Sequence, residues 1–99
     1  MLVLHARLKL AQGMLPRFQE LLAAVAPPSR AEDGCSSYRA YRSLEDPNEV
    51  VFVEEWKSQA ALDLHFQTPH FRAYDRAVAA LLAEPPRIRT YEAASYRDL

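Results

Sequence analysis

Ninety-nine residues are enough for one small domain, expected over residues 1–99. Twelve Lys+Arg against thirteen Asp+Glu leave a formal net charge of −1, so the chain lacks the positive field that a nucleic-acid groove or an anionic membrane surface calls for. Hydrophobic residues make up 49% and charged residues 25%, and no apolar run nears the roughly 20 residues that span a bilayer, so neither nucleic acid nor membrane is expected as a partner. Arg7 interrupts the N-terminal apolar stretch too early for a secretory leader, and the lone Cys35 builds neither a disulfide frame nor a cysteine-based metal cluster. A reducing cytoplasm is the expected compartment.

The first element is a strand. Leu2, Leu4, Ala6, Leu8 and Leu10 alternate with Val3, His5, Arg7 and Lys9, the period of a sheet with one buried face. Gln12-Gly13 ends it, and Leu15, Phe18, Leu21, Leu22 and Val25 then recur at helical steps. Pro27-Pro28 removes two backbone donors, so this helix is expected to kink or stop near Ala26, with Gly34 as its C-terminal stop. Cys35 to Arg42 reads as a strand entering a hairpin through Glu45-Asp46-Pro47-Asn48-Glu49. The partner strand, Val50 to Trp56, places Val50, Phe52, Glu54 and Trp56 on one face and Val51, Val53 and Glu55 on the other. Ser58 caps a short helix through His65. Thr68-Pro69 then opens a second, with Phe71, Tyr74, Val78 and Leu81 or Leu82 on one stripe. Arg87 to Tyr96 reads as the last strand.

This order predicts an α+β, ferredoxin-like βαββαβ sandwich: a four-stranded antiparallel sheet with the helices on one face. Such a short chain leaves the other face bare. That face is expected to be apolar, to pair with a second copy in a homodimer, and to be decorated by Tyr38, Tyr41, Tyr91 and Tyr96.

With only Gly13 and Gly34 there is no phosphate-binding glycine loop, and the chain carries neither a nucleophile elbow nor zinc-type ligand spacing. What remains is an aromatic and imidazole cluster: Glu54-Glu55-Trp56, then His65-Phe66-Gln67-Thr68-Pro69-His70-Phe71-Arg72-Ala73-Tyr74. Together with Arg7 to Gly13 and Glu32-x-Gly34-Cys35, these motifs resemble the antibiotic biosynthesis monooxygenase superfamily of dimeric α+β-barrel proteins, and the similarity covers essentially the whole chain. The His65 to Tyr74 segment is especially similar to the quinol monooxygenase branch, which the resemblance implies oxidises hydroquinones with O2 and without metal or flavin. An isomerase branch acting on phosphorylated dicarbonyls shares the histidine and Thr-Pro-His spacing. A haem-degrading branch keeps the tryptophan, but Ala6 and Asp75 stand where it needs an asparagine and a haem-ligating histidine.

Hydroquinone oxidation by O2 asks chiefly for removal of a proton in a water-poor pocket. His65 is the candidate base, with Trp56 and Phe71 to stack a flat ring and the Tyr74 hydroxyl to orient a substrate oxygen. Phe52, Glu54 and His70 complete the expected substrate site, Glu54 as the residue that orients His65. Each has a plainer reading: capping for His65, solvent or an interface for His70, packing for Trp56, Phe71 and Tyr74. Arg72 and Arg76, one helical turn apart, suit a phosphate or a solvated face, and Cys35 has no expected redox duty. The rival functions are a dicarbonyl isomerase or tautomerase and a non-catalytic small-molecule binding module.

Overall fold

A computed structural model describes all residues, 1–99. The chain runs β1 (Leu2–Lys9), α1 (Leu15–Arg30), β2 (Cys35–Arg42), β3 (Glu49–Trp56), α2 (Gln59–Gln67), α3 (Pro69–Val78), a 3₁₀ turn at Ala79–Leu81, and β4 (Arg87–Glu92). The four strands form one antiparallel sheet in the order β2-β3-β1-β4, the ferredoxin-like arrangement that the element order predicts.

The register of the central pair positions everything else. Leu2, Leu4, Ala6 and Leu8 of β1 lie opposite Trp56, Glu54, Phe52 and Val50 of β3, and all eight are buried. Side chains alternate across a pleated strand, so this pairing sends one row from each strand under the helices. Phe18, Leu21, Val25 and Ala26 of α1, Leu62 of α2 and Val78 of α3 close the core above them.

The first helix does not stop near Ala26: it continues to Arg30, through Pro27 and Pro28. The two missing donors would have served the carbonyls of Ala23 and Ala24. Both residues are exposed, so water can take those bonds instead. On the buried side the Ser29 hydroxyl donates to the Val25 carbonyl at 2.7 Å.

Gly34 is not a left-handed helix stop either, since the positive-φ glycine is Gly13, at +84°, in the turn after β1. Gly34 allows close approach. A Cβ there would lie 2.3 Å from the Ala61 Cβ and 3.3 Å from its Cα, and the Gly34 carbonyl accepts from the Lys57 amide at 2.9 Å. The α1–β2 turn is thereby held against α2.

The last strand ends at Glu92 rather than Tyr96, and the bare sheet face is mixed rather than apolar. It carries Val3, Val51 and Val53, but also Arg7 opposite Arg87 and His5 opposite Arg89. Tyr38 is on the other side, buried under the helices, whereas Tyr41, Tyr91 and Tyr96 are exposed.

Gly34→Ala is expected to destabilise the fold by about 1–3 kcal/mol through overpacking. Ala61→Gly in the same chain should recover part of the loss, because it removes the atom at 2.3 Å. Urea unfolding of the two single variants and the double variant measures both effects.

Candidate active site

Trp56 ends β3 facing the helices and is completely buried, with its indole Nε1 donating to Glu54 Oε1 at 2.9 Å. Glu54 therefore serves Trp56, and the expectation that it orients His65 does not hold. Burial pushes the Glu54 carboxyl up from 4.5 to about 7, against the opposing effect of the Trp56 hydrogen bond. A protonated carboxyl at this position costs less than a buried charge with one donor.

His65, near the end of α2, is 1% exposed and packs on the indole with ring centroids 4.5 Å apart and planes inclined by 38°. Its Nδ1 lies 2.6 Å from Glu32 Oε2. The same oxygen is 2.9 Å from His70 Nε2, so one carboxylate oxygen binds two imidazoles. An ionised carboxylate only accepts, which places the His65 proton on Nδ1 and leaves Nε2 with the lone pair. Burial pulls the His65 pKa below its ordinary value while Glu32 pulls it up, and burial prevails. At neutral pH the ring is a neutral base with a fixed tautomer.

Thr68 sets the spacing of the two histidines. Its hydroxyl donates to the His65 carbonyl at 2.7 Å, closing α2, and accepts from the Phe71 amide at 3.2 Å, opening α3. Pro69 begins the new helix, so His70 falls in its first turn, with its ring centroid 5.9 Å from that of His65. Phe71 packs on His65 at 5.0 Å and on Phe66 at 4.9 Å.

The proposed residues thus divide into two groups. Trp56, His65, His70 and Phe71 converge. Phe52 and Tyr74 form an edge-on pair at 5.7 Å, and Tyr74 lies 6.2 Å from Phe71. Tyr38 links the two groups, with its ring 5.4 Å from Phe52 and 5.6 Å from His65. Burial raises the pKa values of both tyrosines, so each phenol keeps its proton and stays a donor. The Cys35 thiol is pushed up to about 11 by burial, which makes it a poor nucleophile. Arg72 donates to Gln67 at 2.6 Å on the surface and does not reach the cluster.

Glu32 is the residue of this cluster that composition and spacing overlooked. It stands 33 positions before His65 and outside any regular element. Its signal was the Glu32-x-Gly34 motif, since the glycine permits the approach that brings the carboxylate to the imidazoles.

An acid–imidazole pair thus lies in an aromatic box where two helices meet on the sheet of a small ferredoxin-like α+β protein. The chain belongs to the antibiotic biosynthesis monooxygenase family, whose model matches residues 1–77. The uncharacterized protein sll1783 of Synechocystis sp. is 36% identical over 98 residues, which are 99% of this chain and 67% of that relative. YgiN of Escherichia coli K12, described as a probable quinol monooxygenase, is 34% identical over 76 residues, 68% of each chain. The solved structure of Rv0793 from Mycobacterium tuberculosis superposes with a TM-score of 0.91 at 32% identity, covering 98% of both chains. No helix here is long and apolar enough to cross a membrane.

Glu54 predicts a specific pH dependence. The native carboxyl keeps its proton to about pH 7, whereas an unfolded glutamate releases it near 4.5, so across this window the native state binds more protons. Its contribution is complete below about 4.5 and is lost as pH rises through about 7. Glu54→Gln, which keeps an acceptor for Trp56, should therefore gain stability relative to wild type between about pH 5 and 8, by at most about 3 kcal/mol. Denaturant midpoints of the two proteins across that range measure the difference.

Proposed function

We propose that this chain is a monooxygenase that oxidises a small hydroquinone or phenolic compound with O2 and no prosthetic group, with His65 as its base. The observation that carries this reading is the 2.6 Å bond between Glu32 and a buried, neutral His65 inside an aromatic box. The bond holds the imidazole in the tautomer whose Nε2 can take a phenolic proton, and Glu32 stabilises the imidazolium that forms. Trp56 and Phe71 supply flat apolar surface for the substrate ring, with Phe52 and Tyr74 behind them, Glu54 fixing the indole and His70 on the half-buried rim.

Deprotonation is the step that matters, because triplet O2 takes one electron at a time and a phenolate yields one far more readily than a phenol. One electron passes from the phenolate to O2, the resulting aryloxyl radical and superoxide recombine to form a C–O bond at a ring carbon, and the proton held on His65 completes the hydroperoxide. Loss of water from that hydroperoxide breaks the O–O bond. The balance is one hydroquinone and one O2 giving one hydroxyquinone and one water, with all four electrons from the substrate. Similarity to a protein described as a probable quinol monooxygenase supports the choice of substrate class.

Oxygen uptake with a panel of hydroquinones and phenols tests this. Turnover should be stoichiometric in O2 and fall by at least about a hundredfold in His65→Ala, the scale of a general base. Absence of uptake across the panel, or dicarbonyl proton exchange that proceeds without oxygen, would overturn the reading in favour of the isomerase.

The working unit in this reading is a homodimer through the bare sheet faces. Val3, Val51 and Val53 offer apolar area there, and the like-charged Arg7–Arg87 pair is unfavourable while it stands alone. The same face carries Glu49 and Glu55, so two copies can bring opposite charges together. Sedimentation equilibrium should give twice the 11.3 kDa chain mass, and Val53→Lys, flanked by His5 and Arg39, should shift the protein toward monomer.

A further inference from the structure

We propose that Glu32, His65 and His70 form a binding site for one divalent late first-row metal ion, such as Zn2+ or Co2+, and that the ion switches off the base at His65. The second half rests on the role of His65 proposed above.

The donor set comes first. Glu32, His65 and His70 each place one ligand atom within 4.8 Å of the others, a carboxylate and two imidazoles converging from three segments of the chain. Two nitrogens and an oxygen suit zinc, cobalt and nickel, and harder ions such as calcium poorly.

The spacing is close to what an ion needs. At metal–ligand distances of about 2.0–2.1 Å, the edges of a tetrahedron are about 3.3 Å. The two nitrogens now sit 2.6 and 2.9 Å from the carboxylate oxygen, so opening each contact by less than about 1 Å makes room. Glu32 and His70 are partly exposed, at 15% and 21% of their side chains, which gives the ion an entry and a place for a water as fourth ligand.

Each imidazole binds in its neutral form, with the nitrogen facing the ion freed by carrying the ring proton on the other nitrogen. The scaffold is also set in advance. Thr68 bonds to the segments carrying both histidines, and Trp56 and Phe71 hold the His65 ring.

The consequence for His65 follows from its tautomer. Nδ1 donates to Glu32 when no ion is bound and Nε2 has the lone pair; with the ion on Nδ1, the proton must sit on Nε2. A ring in that state cannot accept a substrate proton. Metal binding and base catalysis therefore exclude each other at one side chain.

Calorimetric titration of the chelator-treated full chain with Zn2+, and with Co2+ followed by its visible absorption, tests the site independently of any turnover. One saturable ion per chain is expected, with affinity lowered at least about tenfold in His70→Ala and in Glu32→Gln, as ligand or outer-shell losses do elsewhere. His5→Ala, on the opposite sheet face, should bind as wild type does. Circular dichroism establishes that each variant is folded, and having two ligand variants guards against one that fails to fold. Long-range 1H–15N spectra of the histidine rings should show the His65 proton moving from Nδ1 to Nε2 as Zn2+ is added.

No saturable binding at millimolar metal, or binding indifferent to both ligand variants, overturns the site. Binding without the tautomer change overturns the switch. If the ion binds and the tautomer moves but no substrate consumes oxygen, the oxygenase reading fails and the metal site stands.

Discussion

A slip of one residue between β1 and β3 would turn the molecule inside out. In the observed register Leu2, Leu4, Ala6 and Leu8 share a face with Trp56, Glu54, Phe52 and Val50. Moving β3 by one position would put Val51, Val53 and Glu55 beneath the helices and expose Trp56 to the open side. Burying one large side chain is worth roughly 1.5–3 kcal/mol, so losing Phe52 and Trp56 from the core would exceed any gain from two valines. The hydrophobic pattern of two strands thus selects the register, and the register delivers Trp56 and Glu54 to the place where α2 and α3 meet. The site follows from the core rather than being added to it.

That core contains polar groups which a simple apolar count would leave out. Glu54, His65 and Ser29 are all buried, and each is matched: Glu54 to the indole of Trp56, His65 to Glu32, Ser29 to the Val25 carbonyl. No buried side-chain polar atom lacks a partner. An unpaired polar atom in such surroundings would cost about 1–3 kcal/mol, a sizeable part of the stability of a chain this short. The pairings also restrict rotation, which is what a site needs. The indole cannot turn without abandoning Glu54, and the His65 ring cannot flip without abandoning Glu32.

Much of this arrangement was legible in the sequence because it depends on local periodicity. The alternation in β1 and β3, the Ser58 and Thr68 caps and the helical stripes all describe neighbours within a few residues, and they place Trp56, His65, His70 and Phe71 on the elements that bring them together. Pro27-Pro28 did not end the helix for a physical reason: a proline breaks a helix most severely where the deprived carbonyl is buried, and here Ala23 and Ala24 face water. The open sheet face misled because the leucines of β1 all belong to the inner row. Outside, the alternating partners are His5, Arg7 and Lys9 as well as Val3.

Glu32 was the least legible residue because its partners lie 33 and 38 positions away. No periodicity connects a turn to a helix across that distance. The connection is made by an absent side chain: with no Cβ on Gly34, the α1–β2 turn packs against Ala61, and the carboxylate two residues earlier comes within reach of both imidazoles.

The two acids of the site then take different partners from their surroundings. Glu54 has one indole donor and little water, and burial favours its neutral form. Glu32, nearer the surface, faces two imidazole nitrogens and accepts from both rings. One carboxyl fixes an indole and the other fixes two imidazoles. The difference between them is made by donors and solvent, since the side chains themselves are identical.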